Sequence, residues 1–329
     1  MVLRKFALFI LSAAIFLFCI ARLYYGLTDD FSLQNISYPE ATAGLYPFQS
    51  PSNRDKEKLF TILNQKFYYL GKGAQSYVFA SSDGQFVLKF FKFKHLKPNW
   101  LMYLLPPVSP FKEWKAHYLA RKKRKFMSVF RGYELAYTKD KEEAGLVYLQ
   151  LAPHQGLGIT TILVDKIGFE KQIDAGTYVF LIQKRGVPLR KHLDSILKQG
   201  DLEKAKERIQ ALLEMYVKEY KKGLYDLDHG LMQNTGFIGD QPFHLDAGKL
   251  TEEPEMQNPL VYKRDLEWVI WKIREWLMKH YPASIAYFNP FLAAQYQYWT
   301  GEELPPPPAN EAAWTLKSRM RYTMGYRPD

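Results

Sequence analysis

Two glycines and a serine ahead of an apolar segment are the first residues whose types and spacing could do chemistry. Gly71, Gly73 and Ser76 lie where one aromatic-rich segment ends and the next begins. Because glycine has no side chain, backbone amides in such a loop can approach an anion closely. A plain hairpin turn is the alternative interpretation of the same residues.

Lys89 favours the anion-binding interpretation. It is the one charge within the apolar segment 86–91. A buried ammonium is costly without a partner, so this position requires a carboxylate or a phosphate nearby. The alternative is an edge strand whose lysine reaches solvent.

A second group of candidate residues lies between 225 and 248. Its oxygen donors are hard ligands suited to Mg²⁺. They are Asp226, Asp228, Asn234 and Asp246. Apolar neighbours around Asp246 predict a short buried strand that delivers this carboxylate into a cleft. Turns are the alternative use of Asp and Asn, and His229 and His244 are interpreted as structural histidines rather than metal ligands.

The elements that must position these residues follow a simple order, with strands first and helices later. Segments rich in aromatic and β-branched residues predict strands at 67–70, 76–79, 85–91, 146–151, 160–165 and 177–183. Helices are predicted at 112–125, 128–143, 201–222 and 263–280. This order indicates an α+β, two-lobed body with an N-terminal antiparallel sheet lobe and a helical C-terminal lobe.

The N-terminal segment differs from the rest of the chain. An uncharged apolar run at 6–21, extended past Arg22 to residue 27, predicts a transmembrane helix and a single-pass membrane protein. A cleaved signal peptide is the alternative. Arg4 and Lys5 before the run favour a cytoplasmic N-terminus by one charge over Arg22, so the side that carries the body stays open. The single cysteine, Cys19, excludes disulfide frameworks and cysteine zinc sites.

Composition and breaks divide the chain into five predicted parts. They are a transmembrane anchor (1–27), a polar tether (28–58), a sheet lobe (59–185), a helical lobe (186–300), and a proline-rich break with a basic tail (301–329).

Taken in order, these motifs resemble the protein-kinase-like superfamily over roughly residues 67–250. Gly71-x-Gly73-x-x-Ser76 is similar to its glycine-rich phosphate loop, and Lys89 to the strand lysine that grips the α- and β-phosphates. The resemblance implies ATP and Mg²⁺ as cofactors. It also implies an ion-pair partner for Lys89, for which Glu134 is the candidate, with Glu113, Glu142 and Glu143 as competitors.

The same resemblance assigns the acidic residues and a hinge. Asn234 is similar to the metal-binding asparagine of the catalytic loop, and Asp246-Ala-Gly248 to the metal-binding Asp-Phe-Gly. Gln183–Val187 would be the hinge that meets adenine.

One departure separates two predictions of function. The catalytic aspartate of the family should precede the asparagine by five positions, where this chain has His229. Either Asp228 (or, less suitably placed, Asp226) acts as the base, a role that a neutral His229 could also take, or the chain is a catalytically inactive pseudokinase that binds nucleotide and a partner. A third interpretation takes Asp226-Leu-Asp228 as the Asp-x-Asp of a nucleotide-sugar transferase, which leaves the glycine loop and Lys89 unexplained.

The charge of the chain predicts an anionic partner. The formal net charge is +11, which suits a nucleotide, nucleic acid or a membrane surface. The basic run 112–125 is either a solvated helix face or a surface that docks on anionic lipid. Nucleic acid is disfavoured because no reader motif accompanies the charge. The acceptor, protein or lipid-linked, is not identified by the sequence.

Overall fold

The computed structural model describes residues 2–39, 52–97, 102, 104, 106, 108–154, 157–228 and 230–306. The predicted catalytic His229, much of the predicted tether and most of the predicted tail lie outside these residues. The chain is mixed α/β and divides into two compact units. The first comprises Met1–Gly186 with His244–Thr251, and the second comprises Val187–Phe243 with the described residues from Glu252 onward.

The described residues of the first unit form four α-helices and the seven strands of one sheet. The helices are α1 (Val2–Thr28), α2 (Leu33–Ile36), α3 (Asn53–Leu63) and α4 (Phe111–Lys139). The strands are β1 (Lys66–Lys72), β2 (Ser76–Ser81), β3 (Phe86–Phe91), β4 (Leu146–Gln150), β5 (Thr160–Val164), β6 (Glu170–Asp174) and β7 (Phe180–Lys184).

These strands form one sheet in the order β4-β7-β3-β2-β1-β5-β6. All the pairs are antiparallel except β1 and β5, which run parallel. The expectation of a purely antiparallel sheet was therefore wrong at this pair. The long connection between β1 and β5 contains α4, and a long crossover permits parallel pairing.

β3 presents different side chains to the two faces of the sheet, because successive residues of a strand alternate. Leu88 and Phe90 belong to a core cluster that includes residues of α2 and α3. Phe91 faces the other way and contacts Phe130 of α4, with ring centroids 4.7 Å apart. Lys89 shares the strand face of Phe91, so the sequence alternation places the lysine on the α4 side.

Within the predicted tether, the described residues that follow α1 include buried apolar side chains. Phe31 and Ile36 are buried in the core of the first unit, and Leu59 and Leu63 of α3 join them. Tyr77 Oη donates to the carbonyl of Asp30 over 2.6 Å. The chain after α1 is therefore docked on the sheet, because its few large apolar residues bury against the aromatic strands.

Phe31 gives a first testable prediction. Its ring contacts those of Tyr77 and Phe79, with centroids 5.3 and 5.0 Å away. Phe31→Ala should lower the free energy of unfolding by about 3 to 5 kcal/mol, because it opens a cavity in an aromatic core. Denaturant unfolding of the full chain in detergent measures the loss, and Phe60→Ala, at a 56% exposed position, should change it little. Equal effects of the two substitutions would contradict the docked arrangement.

The second unit is largely helical. Its helices are α5 (Leu189–Leu197), α6 (Leu202–Lys221), α7 (Leu231–Asn234), α8 (Pro259–His280) and α9 (Ile285–Thr300). The remaining strands, some at the unit boundary, are β8 (Val187–Pro188), β9 (Leu224–Asp226), β10 (Thr235–Ile238), β11 (Gln241–His244) and β12 (Leu250–Glu252). Apolar residues of α5, α6, α8 and α9 form its core.

Candidate functional site

The glycine loop joins β1 to β2 in the first unit. Gly73 N donates to Ser76 O over 2.9 Å and closes the turn. A Cβ at Gly71 would meet nothing within 4 Å, and one at Gly73 would approach only Ser76 Oγ at 3.7 Å. The two glycines therefore leave open space over the loop, which suits the approach of an anion to its amides.

Three carbonyls of this loop are held by the segment that follows β3. Lys92 N donates to Gln75 O over 2.8 Å, and the Lys92 ammonium donates to Gly73 O. His95 Nε2 lies 3.1 Å from Ala74 O. The carbonyls are thus turned toward a basic segment, and among the described residues no acceptor takes the amides of Ala74 and Gln75.

The sequence analysis missed Lys92 and His95. Lys92 is almost fully buried and packs over the Tyr77 ring at 4.6 Å. Burial lowers the pKa of Lys92 to about 8, and the neighbouring Lys94 and Lys72 act in the same direction. Two lysines follow Lys89 closely, at 92 and 94, and this clustering could have indicated residues that hold the glycine loop. The alternation of polar and apolar residues does not by itself distinguish such lysines from lysines exposed at the surface.

Lys89 is buried on β3 opposite Val78 of β2, two residues beyond Ser76. Its ammonium donates to the carbonyl of Leu245, the residue before Asp246. Burial lowers the pKa of Lys89, and the carboxylate of Asp246 opposes this shift. The structure therefore brings Lys89 and Asp246 together, although they are far apart in the sequence.

Asp246 lies in the short segment that follows β11 and is exposed. Its Oδ1 accepts hydrogen bonds from Tyr133 Oη at 2.9 Å and from Gly248 N at 3.0 Å. Burial raises the pKa of Tyr133 well above its ordinary value, and the charge of Asp246 adds to the effect. Tyr133 therefore stays a neutral donor that orients the carboxylate.

α4 approaches the Asp246 segment so closely that one position requires glycine. A Cβ at Gly132 would lie 2.6 Å from both the C and the O atoms of Gly248, a distance at which backbone must move. Gly132 and Tyr133 therefore set the position of the 246–248 turn. The sequence analysis missed both residues, because neither type indicates a site by itself.

The position of Glu134 does not fit the expected ion pair with Lys89. It lies on the exposed face of α4, while its neighbour Tyr133 takes the buried position. Helical geometry rotates adjacent residues by about 100°, so the two cannot share one face. Within the part of the chain that the structure describes, the carboxylate found beside Lys89 is that of Asp246 rather than Glu134.

The 244–251 segment also departs from the predicted domains, which had placed it in the helical lobe. The structure groups it with the first unit. His244 N donates to Glu143 O over 2.7 Å, and Gln183 Nε2 donates to His244 O over 2.7 Å. These bonds hold the segment against β7 and the end of α4.

Part of the expected hinge at Gln183–Val187 forms hydrogen bonds with other residues of the protein. The Gln183 side chain is buried and bonds the carbonyls of Ala144 and His244. The amides of Lys184 and Arg185 donate to Gly145 O and Gln85 O, each over 2.8 Å. Adenine recognition at these positions stays a prediction.

The second unit holds the other predicted site residues. Asp226 is buried, and its Oδ1 accepts a hydrogen bond from Asp228 N over 2.9 Å. Asp228 is exposed, and its Oδ2 accepts a bond from Asn234 Nδ2 over 3.1 Å. Asp228 and Asn234 therefore lie together, and the Asn234 amide is oriented with its nitrogen toward Asp228 and its oxygen available to a cation. Asp226 instead stabilises the 226–228 turn through the bond that it accepts from Asp228 N.

The comparisons with known proteins begin with two negative results: no family model matches the chain, and no curated protein matches it.

Solved structures that match this chain weakly include WbdD in a co-crystal with a kinase inhibitor (13% identity, 75% of this chain, 49% of that chain, TM-score 0.35). A second is the bifunctional kinase-methyltransferase WbdD (14% identity, 84% and 52%, TM-score 0.34). A third is Rv3197 with erythromycin, from Mycobacterium tuberculosis (14% identity, 96% and 79%, TM-score 0.31). The chain spans about half the length of the WbdD chains. TM-scores below 0.5 do not establish a family.

The N-terminal helix is long and apolar enough to cross a membrane. Leu8–Thr28 comprises 21 residues with a mean hydropathy of 2.1, and Thr28 at its end is the one buried residue of this segment. A signal sequence near an N-terminus has the same properties, so these features alone do not assign the helix as an anchor.

Proposed function

We propose that the chain is a membrane-anchored, kinase-like phosphotransferase that binds ATP with Mg²⁺ and transfers a phosphoryl group to a hydroxyl acceptor. One observation carries the proposal: the ammonium of Lys89 is buried on the sheet, bonded to Leu245 O, and close to the carboxylate of Asp246. A buried cation next to an exposed carboxylate suits a triphosphate and its metal ion, because each charge then has a partner.

The glycine loop supports the phosphate-binding part of the proposal. Its carbonyls are held by Lys92 and His95, and no described residue accepts a hydrogen bond from the Ala74 and Gln75 amides. β2 carries the loop and β3 carries Lys89, and the two strands are paired. Backbone amides and an ammonium on neighbouring strands form a suitable cradle for phosphate oxygens.

The candidate metal ligands are Asp246 in the first unit and Asn234 in the second, as the resemblance to kinases implies. The described bonds to Asp246 are both to Oδ1, which leaves Oδ2 for coordination. Asn234 donates its amide nitrogen to Asp228, which leaves its oxygen. When bound, Mg²⁺ neutralises phosphate charge and orients the oxygens for in-line transfer.

Asp228 would accept the proton of the attacking hydroxyl. It is the exposed carboxylate of the 226–228 turn, and its bond from Asn234 fixes one oxygen. A positioned carboxylate can act as general base for a hydroxyl nucleophile. The exposure of Asp228 favours an active kinase over a binding-only pseudokinase, since its carboxylate is accessible to a hydroxyl acceptor.

The nucleotide-sugar transferase alternative receives less support. An Asp-x-Asp motif needs both carboxylates available to one metal ion. Asp226 is buried and accepts a backbone hydrogen bond, while Asp228 is exposed. The two carboxylates therefore have different surroundings.

The metal-binding part is tested with Asp246→Asn. We expect the Mg²⁺-dependent gain in ATP affinity to fall by about 10- to 100-fold, the range seen when the surroundings of a metal ligand are disrupted. Equilibrium dialysis of ATP against the full chain in nanodiscs, with and without Mg²⁺, measures the gain. Glu142→Gln, at an exposed position of the same unit, is the control.

Transfer itself is followed with ATP labelled in its γ-phosphate and a membrane lipid extract as acceptor. ATP binding without Mg²⁺ dependence, or with the dependence unchanged by Asp246→Asn, would refute the metal assignment. Binding without any transfer to the lipid extract, to protein or to water would indicate the pseudokinase.

A further inference from the structure

The first half of α4 extends out of the core of the first unit. Burial along this helix begins at Phe126, whose ring lies 5.1 Å from Phe93 and 4.9 Å from Phe130. Residues 111–125 before it are exposed or half-buried throughout. We call the segment 108–125 the basic arm.

The outer end of the basic arm is apolar. Val108 is 55% exposed, Phe111 41% and Trp114 53%, and Leu104 just before the arm is 70% exposed. Trp114 and Tyr118 stack with their centroids 6.1 Å apart, so the aromatic residues form a stripe along one side. Exposed apolar patches of this kind mark interaction surfaces.

The inner end of the basic arm is strongly cationic. From 112 to 125 the sequence has seven Lys and Arg residues and one acidic residue, Glu113. Among the described residues, no carboxylate forms an ion pair with Arg121, Lys123, Arg124 or Lys125. Lys122 packs over the Tyr118 ring at 4.5 Å, which joins the cationic and aromatic parts.

We infer that the basic arm docks on an anionic lipid surface, with its aromatic end at the headgroup level and its lysines and arginines on lipid phosphates. An apolar end next to a cationic collar is the pattern of interfacial helices. Charge argues against other occupants. A second copy would bring the same seven cations, and the tail 307–329 carries four basic residues against two acidic ones.

The root of the basic arm supports a membrane as the partner. Phe93 contacts Phe126 at that root and also contacts Tyr38, with centroids 5.2 Å apart. Tyr38 belongs to the docked chain that follows α1. The root of the arm therefore packs, through Phe93, against the chain segment that follows the apolar helix. The inference rests on the proposed membrane anchor and is independent of phosphoryl transfer.

The test uses the full chain in nanodiscs that hold one copy each. In a Cys19→Ser background, Trp114→Cys provides a single thiol for an environment-sensitive dye. Discs contain either phosphatidylcholine alone or a mixture with phosphatidylserine, each with a brominated phosphatidylcholine as quencher. We expect several-fold stronger quenching in the anionic discs, and loss of the difference at high ionic strength.

Charge variants separate docking from simple proximity. Lys123→Glu with Arg124→Glu should remove most of the quenching in anionic discs. The control, Arg190→Glu with Lys191→Glu, makes the same charge change at exposed residues of α5 and should leave quenching unchanged. The salt dependence of the unaltered arm keeps the test valid if a charge variant fails to fold.

Three results would overturn the inference. They are equal quenching in neutral and anionic discs, a dye shielded from solvent but not quenched by bromine, and quenching that survives the Lys123 and Arg124 reversal. The second would show that another segment of this chain covers the arm. Failure of the anchor is recognised separately, since the protein would not co-elute with the discs.

Discussion

Lys89→Met should reduce ATP affinity and phosphoryl transfer by at least about a hundredfold, because the lost charge–phosphate contact is worth several kcal/mol at a buried site. Lys89 is 8% exposed, so phosphate oxygens that meet its ammonium would do so with little screening by water. Methionine keeps the length and much of the volume of the side chain, and Asp246 stays solvated at its exposed position. The fold should therefore persist while the cation is lost.

The effect is measured by ATP dialysis and by transfer of the labelled γ-phosphate, with circular dichroism as a check on folding. Lys58→Met is the control, since Lys58 is an exposed lysine on α3 outside the predicted nucleotide-binding residues. A folded Lys89→Met protein that binds ATP as tightly as the unaltered chain would remove the main support for a phosphate site.

Asp228→Asn should lower turnover by about 10²- to 10⁴-fold while ATP affinity stays the same, because it removes a general base but no phosphate contact. Asparagine preserves the shape of the side chain and can still accept the hydrogen bond that Asn234 donates over 3.1 Å. The separation of turnover from binding distinguishes the base from a structural residue of the turn.

Single-turnover transfer measures this prediction, and Glu207→Gln, an exposed position on α6, is the control. If Asp228→Asn transfers phosphate at the original rate, the base lies elsewhere in the chain. If Asp228→Asn weakens ATP binding as much as it slows transfer, Asp228 acts on the nucleotide instead.

Local patterns in the sequence were sufficient for several elements. The aromatic and β-branched run predicted at 85–91 is β3, Phe86–Phe91, and the helix predicted at 201–222 is α6, Leu202–Lys221, with Asp201 as its N-cap. Asp83-Gly84 lies between two strand-like segments, a pattern typical of a hairpin, and the chain turns there between β2 and β3 with Gly84 at a φ of 72°. These features depend on residues close in sequence, which a single chain displays directly.

Long-range geometry limited the prediction of the candidate site. The contrast between Lys89 and its apolar neighbours indicated a partner, and Asp246 lies beside it. The choice of Glu134 failed because the rotation of α4 is set by packing against Phe91 and Gly248. Sequence alone shows which residues a helix contains, whereas its tertiary neighbours decide which of them faces inward.

The burial of Phe31 and Ile36 was missed for a related reason. Phe31 and Ile36 are isolated apolar residues in a polar segment, without the periodicity that marks an element. Their burial depends on pockets formed by distant strands. The helices predicted separately at 112–125 and 128–143 form the continuous α4, Phe111–Lys139, because no helix-breaking residue separates them.

The docked chain after α1 has a consequence for encounters with other molecules. Thr28 ends the apolar helix, and Phe31 is already fixed in the sheet core, so only two residues intervene. If α1 crosses a membrane as we propose, the body would have almost no slack relative to the bilayer and could not sample a wide volume of solvent. It would meet its acceptor by lateral diffusion, in a two-dimensional search among molecules held at a similar height above the same membrane.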